Sequence, residues 1–354
     1  MRIAIDTQST LGRKTGIGLY TANLLSALRR VAPEHEYLEL SWGRTEELRT
    51  DQRLRWEQWE LPRRARAARA QVLHLTGFGA PIRRPCPTVL TVHDLIGYLF
   101  PANLPPVARL YWALWLPFSI RFAGHIIADS EHTRGDLQRL LGVPGERITV
   151  IHLAADERFQ PISDPAVRAD VRDRYDLPPS FILYVGTLEP RKGLDTLVNA
   201  YASLADEFPH ALVIAGKKGW YTLPLFRQIE ALGLRYRIRF TDYVDDADLP
   251  VVYSLADLFV FPSRYEGFGL PPLEAMACGV PVISSNAASL PEVVGDAGML
   301  VPPDNVEALA AAMRQVLVDD ALRANLRARG LARADRFSWD ETARQTVRVY
   351  EGVV

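Results

Sequence analysis

Short apolar, β-branched runs alternate along the chain with stretches of helical periodicity, and the whole series occurs twice. In the first half the runs are "RIAID", "QVLHL", "TVLTVHD", "HIIADS" and "ITVIHL"; in the second they are "FILYVG", "ALVIAG", "RIRFTDY", "LFVFPS" and "PVISS". Strands that alternate with helices predict parallel sheets joined by crossover helices. The series restarts after the polar, proline-punctuated stretch "AADERFQPISDPAVRAD" (Ala154 to Asp170). The expected architecture is therefore α/β, with two facing, Rossmann-like, doubly wound domains over residues 1–160 and 161–335. A final amphipathic helix over 336–354, with Trp339 near its start, is a packing element available to cross back to the first domain. Such sheets take ligands beyond the carboxyl ends of their strands, so the expected site is a cleft between the two domains.

Composition agrees with two lobes: 354 residues, 48% hydrophobic and 23% charged, are enough for more than one core. Two cysteines, Cys86 and Cys278, form no disulfide framework, and no CxxC or Cys/His cluster offers a metal site. A reducing cytoplasm is the expected compartment. "MRIAID" reaches Asp6 too soon for a signal-peptide core and reads as a buried first strand. The net charge of −1 hides an excess of five basic residues over 1–159 and of six acidic residues over the remainder. That balance argues against a nucleic-acid partner but leaves room for a local basic patch. "RLRWEQWELPRRARAARA" (residues 53–70), six arginines around Trp56 and Trp59, is the candidate for peripheral contact with a lipid interface or a phosphate-bearing acceptor. A solvated helical face is the alternative. The long apolar segment "LYWALWLPFSIRFAGHIIA" is broken by Pro117, Arg121, Gly124 and His125, and reads as a buried helix followed by a strand rather than a span.

Candidate chemistry clusters at strand ends. "FILYVGTLEPRKGLDTLVNAY" runs from a strand ending at Gly186 to a helix beginning around Gly193, which sets Arg191 and Lys192 at a helix start. Two cations beside free N–H groups suit a multiply charged anion such as a diphosphate. Gly16 and Gly18 in "KTGIG" lie between the first strand and an amphipathic helix, where backbone can approach a phosphate or a sugar. His93 closes a strand, with His74 its strongest competitor among the histidines. In "RYEGFGLPPLEA" Glu266 lies on a loop and Glu274 in the following helix, whose start is marked by two prolines. Glu274, expected to stay ionised near the helix start, suits a ribose diol, while Gly267, Phe268 and Gly269 offer backbone N–H groups. A glycosidase pair of carboxylates is disfavoured because it leaves Arg191 and Lys192 without a purpose. "DYVDDADL" reads as a helix cap, and no metal is assigned.

Together, "VGTLEPRKG", "AGKKGW", "TDYVDDADLPVVYSLAD" and the Glu-x7-Glu motif enclosing "GFGLPP" resemble the retaining GT-B glycosyltransferases of family 4, over nearly the whole chain. The resemblance implies that Arg191 and Lys192 hold the donor diphosphate, Glu274 the ribose, and Glu266, Phe268 and Gly269 the transferred sugar. It also implies a backbone contact from Leu270 to phosphate, a base pocket near Gly216, Tyr243 and Val244, donor contact at Gly186, a phosphate-approaching turn at Gly16 and Gly18, and His93 beside the donor sugar. Thr15 departs from the pattern, since many relatives carry glycine there. The implied activity is metal-independent transfer of a hexose to a glycan or lipid-linked acceptor, with no cofactor beyond the nucleotide sugar. GDP-mannose is the favoured donor and UDP-glucose the next. A nucleotide-sugar epimerase of similar fold and a non-catalytic sugar-nucleotide binder are the alternatives.

Overall fold

The computed structural model describes residues 1–12, 16–43, 48–77, 79–100, 109–217 and 222–354; Thr15 and the last three residues of "AGKKGW" lie outside them. The chain divides into two compact units, Met1–Leu153 with Ser338–Val354, and Ala154–Phe337.

The first unit holds a six-stranded parallel sheet: β1 (Arg2–Asp6), β2 (Glu36–Leu40), β3 (Val72–Leu75), β4 (Thr88–Val92), β5 (His125–Ala128) and β6 (Ile148–Val150), in the order β2-β1-β3-β4-β5-β6. The second holds β7 (Phe181–Val185), β8 (Ala211–Ala215), β9 (Ile238–Asp242), β10 (Leu258–Phe261), β11 (Val282–Ser285) and β12 (Met299–Val301), in the order β12-β11-β10-β7-β8-β9. The central strands are buried throughout, which is why they read as continuous apolar runs. In the second sheet the winding direction reverses between β7 and β10, and a crevice opens at such a reversal, past the carboxyl ends of the two strands. The pattern of apolar runs misses β2 and β12, both edge strands. β2 carries exposed Glu36 and Glu39, and β12 has only three residues, so neither presents a run of core residues.

The last helix, Trp339–Val353, packs on helix Gly16–Val31 within the first unit. Ser338 caps it by accepting from the Glu341 N–H, and Arg30 pairs with Asp340 at 2.8 Å. Its buried Tyr350 hydroxyl lies 2.6 Å from His74 Nδ1, and His74 Nε2 lies 2.8 Å from the Thr91 hydroxyl, which also meets the Tyr20 hydroxyl. His74 is thus a core residue joining the last helix to β3 and β4, not a competitor for the site. Burial depresses it to about 3, so the ring is neutral.

The arginine-tryptophan stretch forms consecutive helical segments, Thr50–Arg55, Trp56–Glu60 and Leu61–Ala67. Arg55, Arg63, Arg66 and Arg69 are exposed, as the solvated-face reading requires, but the stretch is not free surface throughout. Trp56 is buried and its indole N–H is shared between the two Asp6 oxygens, at 3.1 Å each, while Arg64 stands over the Trp56 ring and donates to the Ser41 carbonyl at 2.7 Å. The segment expected as a buried helix forms Tyr111–Trp115 and Leu116–Ile120, buried on one side and open on the other. No helix among the described residues is long and apolar enough to cross a membrane.

Tyr350→Phe leaves His74 Nδ1 buried without its partner, so a loss of about 1–3 kcal/mol is expected in urea unfolding. An unchanged midpoint would show that this bond contributes nothing to the first unit.

Candidate active site

The centre of the second unit is one oxygen atom. Glu266 Oε1 receives Lys192 Nζ at 2.7 Å, Arg191 Nη1 at 3.1 Å and the Ser263 hydroxyl at 2.5 Å. Arg191 also donates to the Tyr265 carbonyl and pairs with Glu189 at 3.2 Å. Lys192 and Glu266 are both about 92% buried, each 8% exposed, and the Lys192 ammonium stands 5.2 Å from the centre of the Phe261 ring. Burial favours protonated Glu266, yet the two cations and their hydrogen bonds outweigh it and hold the carboxyl below its usual range. These residues come from the loops after β7 and β10, on either side of the reversal of strand order. Gly193 permits the approach: at φ 68° it turns the chain left-handed, and a side chain there would collide with the Pro262 carbonyl.

Arg191 and Lys192 occupy a separate one-turn segment, Pro190–Lys192, with Gly193 capping the helix Leu194–Ala202. The first turn of that helix carries Asp195, as dipole preference requires, so the cations sit ahead of the helix rather than in it. In the loop after β10 the Ser289 hydroxyl ties the Glu266 and Phe268 carbonyls at 2.9 and 2.7 Å. The Phe268 ring is buried against Phe337, which leaves its backbone as the part that can meet a ligand. Gly269 precedes helix Leu270–Ala277, where Pro271 and Pro272 have no N–H, so the Leu270 amide is the first donor of that helix.

Glu274 departs from expectation. It lies in the second turn of the helix, accepts the Tyr253 hydroxyl at 3.0 Å, and is raised to about 7 by burial despite the opposing charge of Arg158. The helix start is too far away, and its prolines too poor in donors, to keep the carboxyl fully ionised. Farther along the sheet Gly186 follows β7 and Gly216 follows β8; at Gly216, φ 149°, a Cβ would strike the Gly186 carbonyl. Beyond β9, Val244 is buried and Tyr243 keeps its ring 38% exposed, with Lys217 Nζ 5.9 Å from the ring centre and Asp246 accepting its hydroxyl. The sequence reading of this region missed Lys217.

In the first unit, Gly16 and Gly18 open the helix Gly16–Val31, and Ile17 between them packs on Gly77, whose other neighbour is the His93 ring. His93 Nδ1 lies 2.6 Å from Asp129 Oδ2 and Nε2 lies 2.9 Å from the Thr76 carbonyl; Tyr20 meets the ring edge-on at 4.7 Å. Both ring nitrogens therefore face acceptors, a geometry that suits the doubly protonated ring. Burial alone would depress His93, but Asp129, the Thr76 carbonyl and Asp94 override it and raise it. His93 is expected beside the donor sugar; its two ring nitrogens meet Asp129 and the Thr76 carbonyl.

Arg264 was also missed. It donates to Asp195 Oδ2 at 2.7 Å, Asp304 Oδ1 at 2.6 Å and the Pro190 carbonyl, fastening the β10 loop to the β7 loop. An arginine beginning "RYEGFG" gave no sign in the sequence that two of its partners, Asp195 and Pro190, lie 69 and 74 residues upstream and a third, Asp304, 40 residues downstream.

Two family models match in succession, "Glycosyltransferase Family 4" over residues 15–159 and "Glycosyl transferases group 1" over residues 170–333. O-antigen chain mannosyltransferase B of Escherichia coli is 41% identical over 266 residues, 74% of this chain and 70% of that protein. The serotype-specific mannosyltransferase WbdA of Escherichia coli is 36% identical over 267 residues, and the match spans only 32% of its length. Among solved structures, Anabaena Alr3699/HepE in complex with UDP-glucose (TM-score 0.76, 21% identity) and WaaG, a glycosyltransferase involved in lipopolysaccharide biosynthesis (TM-score 0.76, 16% identity), each cover 99% of this chain and are themselves covered in full. The chain belongs to the family 4 glycosyltransferases and has the GT-B fold.

Because the raised His93 contributes stability below the unfolded value of about 6.5 and loses it as pH climbs through its folded value, the pair has a pH signature. The stability gap between the native chain and Asp129→Asn is expected to narrow between pH 6 and pH 9 in urea unfolding. A gap independent of pH would mean that the pair is not an imidazolium and a carboxylate.

Proposed function

We propose that this glycosyltransferase is a retaining mannosyltransferase that takes its hexose from GDP-mannose and delivers it to a hydroxyl of a glycan or lipid-linked acceptor in surface polysaccharide synthesis. The carrying observation is the cation pair Arg191 and Lys192 converging on Glu266 at the strand-order reversal. The mannosyltransferase names of two relatives support the hexose and the pathway class, and UDP-glucose is the donor next in line.

In the proposed reaction the bond between the sugar C1 and the β-phosphate oxygen breaks, the acceptor oxygen bonds to C1 on the same face, and the acceptor proton passes to the leaving diphosphate. Charge grows on that diphosphate as the bond lengthens. Lys192 and Arg191, already fixed in place by Glu266 and Tyr265, stabilise the growing charge more than the ground state. No side-chain nucleophile is needed, and neither is a metal. Glu266, ionised and held by three donors, is free to orient sugar hydroxyls with its other oxygen. The Leu270 amide supplies one further hydrogen bond to phosphate.

Glu274 takes the ribose. Its carboxylate accepts two hydroxyls only when ionised, and its value of about 7 puts that ionisation inside the working range. Tyr243, half-exposed and with Lys217 Nζ 5.9 Å from its ring centre, offers a face for the base.

Arg191→Ala and Lys192→Ala are each expected to lower kcat by about 10² to 10³. The readout is nucleoside diphosphate release from a donor panel with and without acceptor. Release that depends on acceptor supports transfer, conversion of donor without acceptor would reveal an epimerase, and binding without turnover a sugar-nucleotide binder. Nucleoside diphosphate affinity is expected to weaken as pH falls from 8 to 6, by up to about tenfold per unit once below the Glu274 value, and Glu274→Gln to flatten the profile. An identical pH profile in that variant would remove Glu274 from ribose recognition.

A further inference from the structure

Each nitrogen of the Arg264 guanidinium has its own acceptor. Nε donates to Asp304 Oδ1 at 2.6 Å, Nη2 to Asp195 Oδ2 at 2.7 Å and Nη1 to the Pro190 carbonyl. The Arg264 backbone N–H donates to the Arg191 carbonyl at 2.7 Å. Asp195 lies in the first turn of the helix after the cation turn and Asp304 follows β12, so one residue ties together the loops after β7, β10 and β12. Asp304 is held in a left-handed backbone conformation, φ 63°, which a residue other than glycine keeps only when its surroundings impose it, and it also accepts the Thr196 hydroxyl at 3.4 Å.

Glu266 holds the side chains of Arg191 and Lys192; Arg264 holds the backbone that carries them. The Pro190 carbonyl that takes Nη1 also accepts the Gly193 N–H at 3.2 Å, and the Lys192 N–H donates to the Glu189 carbonyl at 3.1 Å. The carbonyls of two consecutive residues, Pro190 and Arg191, are therefore fixed from the β10 side, which sets the place and tilt of the turn Pro190–Lys192. Three acceptors in three directions need a planar fork, and a lysine ammonium on its flexible stem cannot meet them together. With every nitrogen engaged and a carboxylate on two of them, Arg264 is not a third cation for the diphosphate.

We propose that Arg264 is a positioning residue for the transfer reaction: it fixes the turn Pro190–Lys192 so that Arg191 and Lys192 meet the leaving diphosphate in the geometry of the transition state. The role rests on the reading of those two cations as diphosphate ligands. Its effect falls on the rate rather than on resting affinity. Before reaction, cations that stay paired with Glu266 can follow a bound diphosphate over a small displacement of the turn. As the bond to the sugar breaks, charge gathers on one oxygen, and a misplacement of about 1 Å costs on the order of 10² in rate.

The test is Arg264→Lys in the full chain, which keeps the charge and loses the fork. The kcat for acceptor-dependent release of GDP from GDP-mannose is expected to fall about 10- to 100-fold while affinity for GDP stays within about threefold of the native chain. Asp304→Asn, a milder change at an exposed side chain, is expected to lower kcat about three- to tenfold. In amide hydrogen exchange the Lys192 and Gly193 N–H groups of Arg264→Lys are expected to exchange at least about tenfold faster, with the amides of β8 unchanged. Native kcat in both variants, a GDP affinity that falls by the whole of the activity loss, or unchanged exchange at Lys192 and Gly193 would each overturn the proposal. A crippled Lys192→Ala beside a fully active Arg264→Lys would remove the positioning role alone, whereas a fully active Lys192→Ala would remove the diphosphate reading and this role with it.

Discussion

Three donors converge on one carboxylate oxygen at Glu266, and the second unit is arranged around that convergence. A buried ammonium and a mostly covered guanidinium repel each other and lose hydration; the Glu266 carboxylate between them, with Glu189 at 3.2 Å from Arg191, makes the pair tolerable. The cost falls on the backbone. Gly193 must turn left-handed so that the two loops meet, Arg264 must bridge to Asp195 and Asp304, and Ser289 must hold the Glu266 and Phe268 carbonyls. What results is a cation pair held in one geometry by Glu266 and the Tyr265 carbonyl.

The two units use their charged groups differently. In the second, burial pushes Glu274 up while two cations hold Glu266 down, so two carboxylates eight residues apart in sequence carry unlike protonation behaviour. In the first, the His93 ring meets Asp129 and the Thr76 carbonyl, beside Gly77 and Ile17.

Much of this was legible in the sequence because core strands write themselves as unbroken apolar runs; ten of the twelve strands were readable that way. Two of the four edge strands, β2 and β12, were not, since half-exposed positions accept Glu36 and Glu39 and a three-residue strand has no period to detect. Arg191, Lys192, Glu266 and Glu274 were readable as a group because glycine and double proline mark special backbone. Their pairing was not: that Lys192 meets Glu266, 74 residues away, follows from the strand order, which local pattern does not encode. Histidines resisted for a different reason. His74 and His93 both close or occupy strands of similar pattern, and only depth of burial and the identity of the partner, Tyr350 or Asp129, tells a neutral core ring from a charged clamp.

The first unit is assembled from two separated pieces of chain, with His74 and Tyr350 among the residues that fasten them. On a ribosome, where the amino-terminal domain ordinarily folds first, this order is inverted. The second unit is uninterrupted from Ala154 to Phe337 and has all of its parts before residues 338–354 emerge. Until they do, the opening sheet of the nascent polypeptide waits with its groove for the final helix unfilled, and chaperone demand during synthesis should fall on the part made earliest.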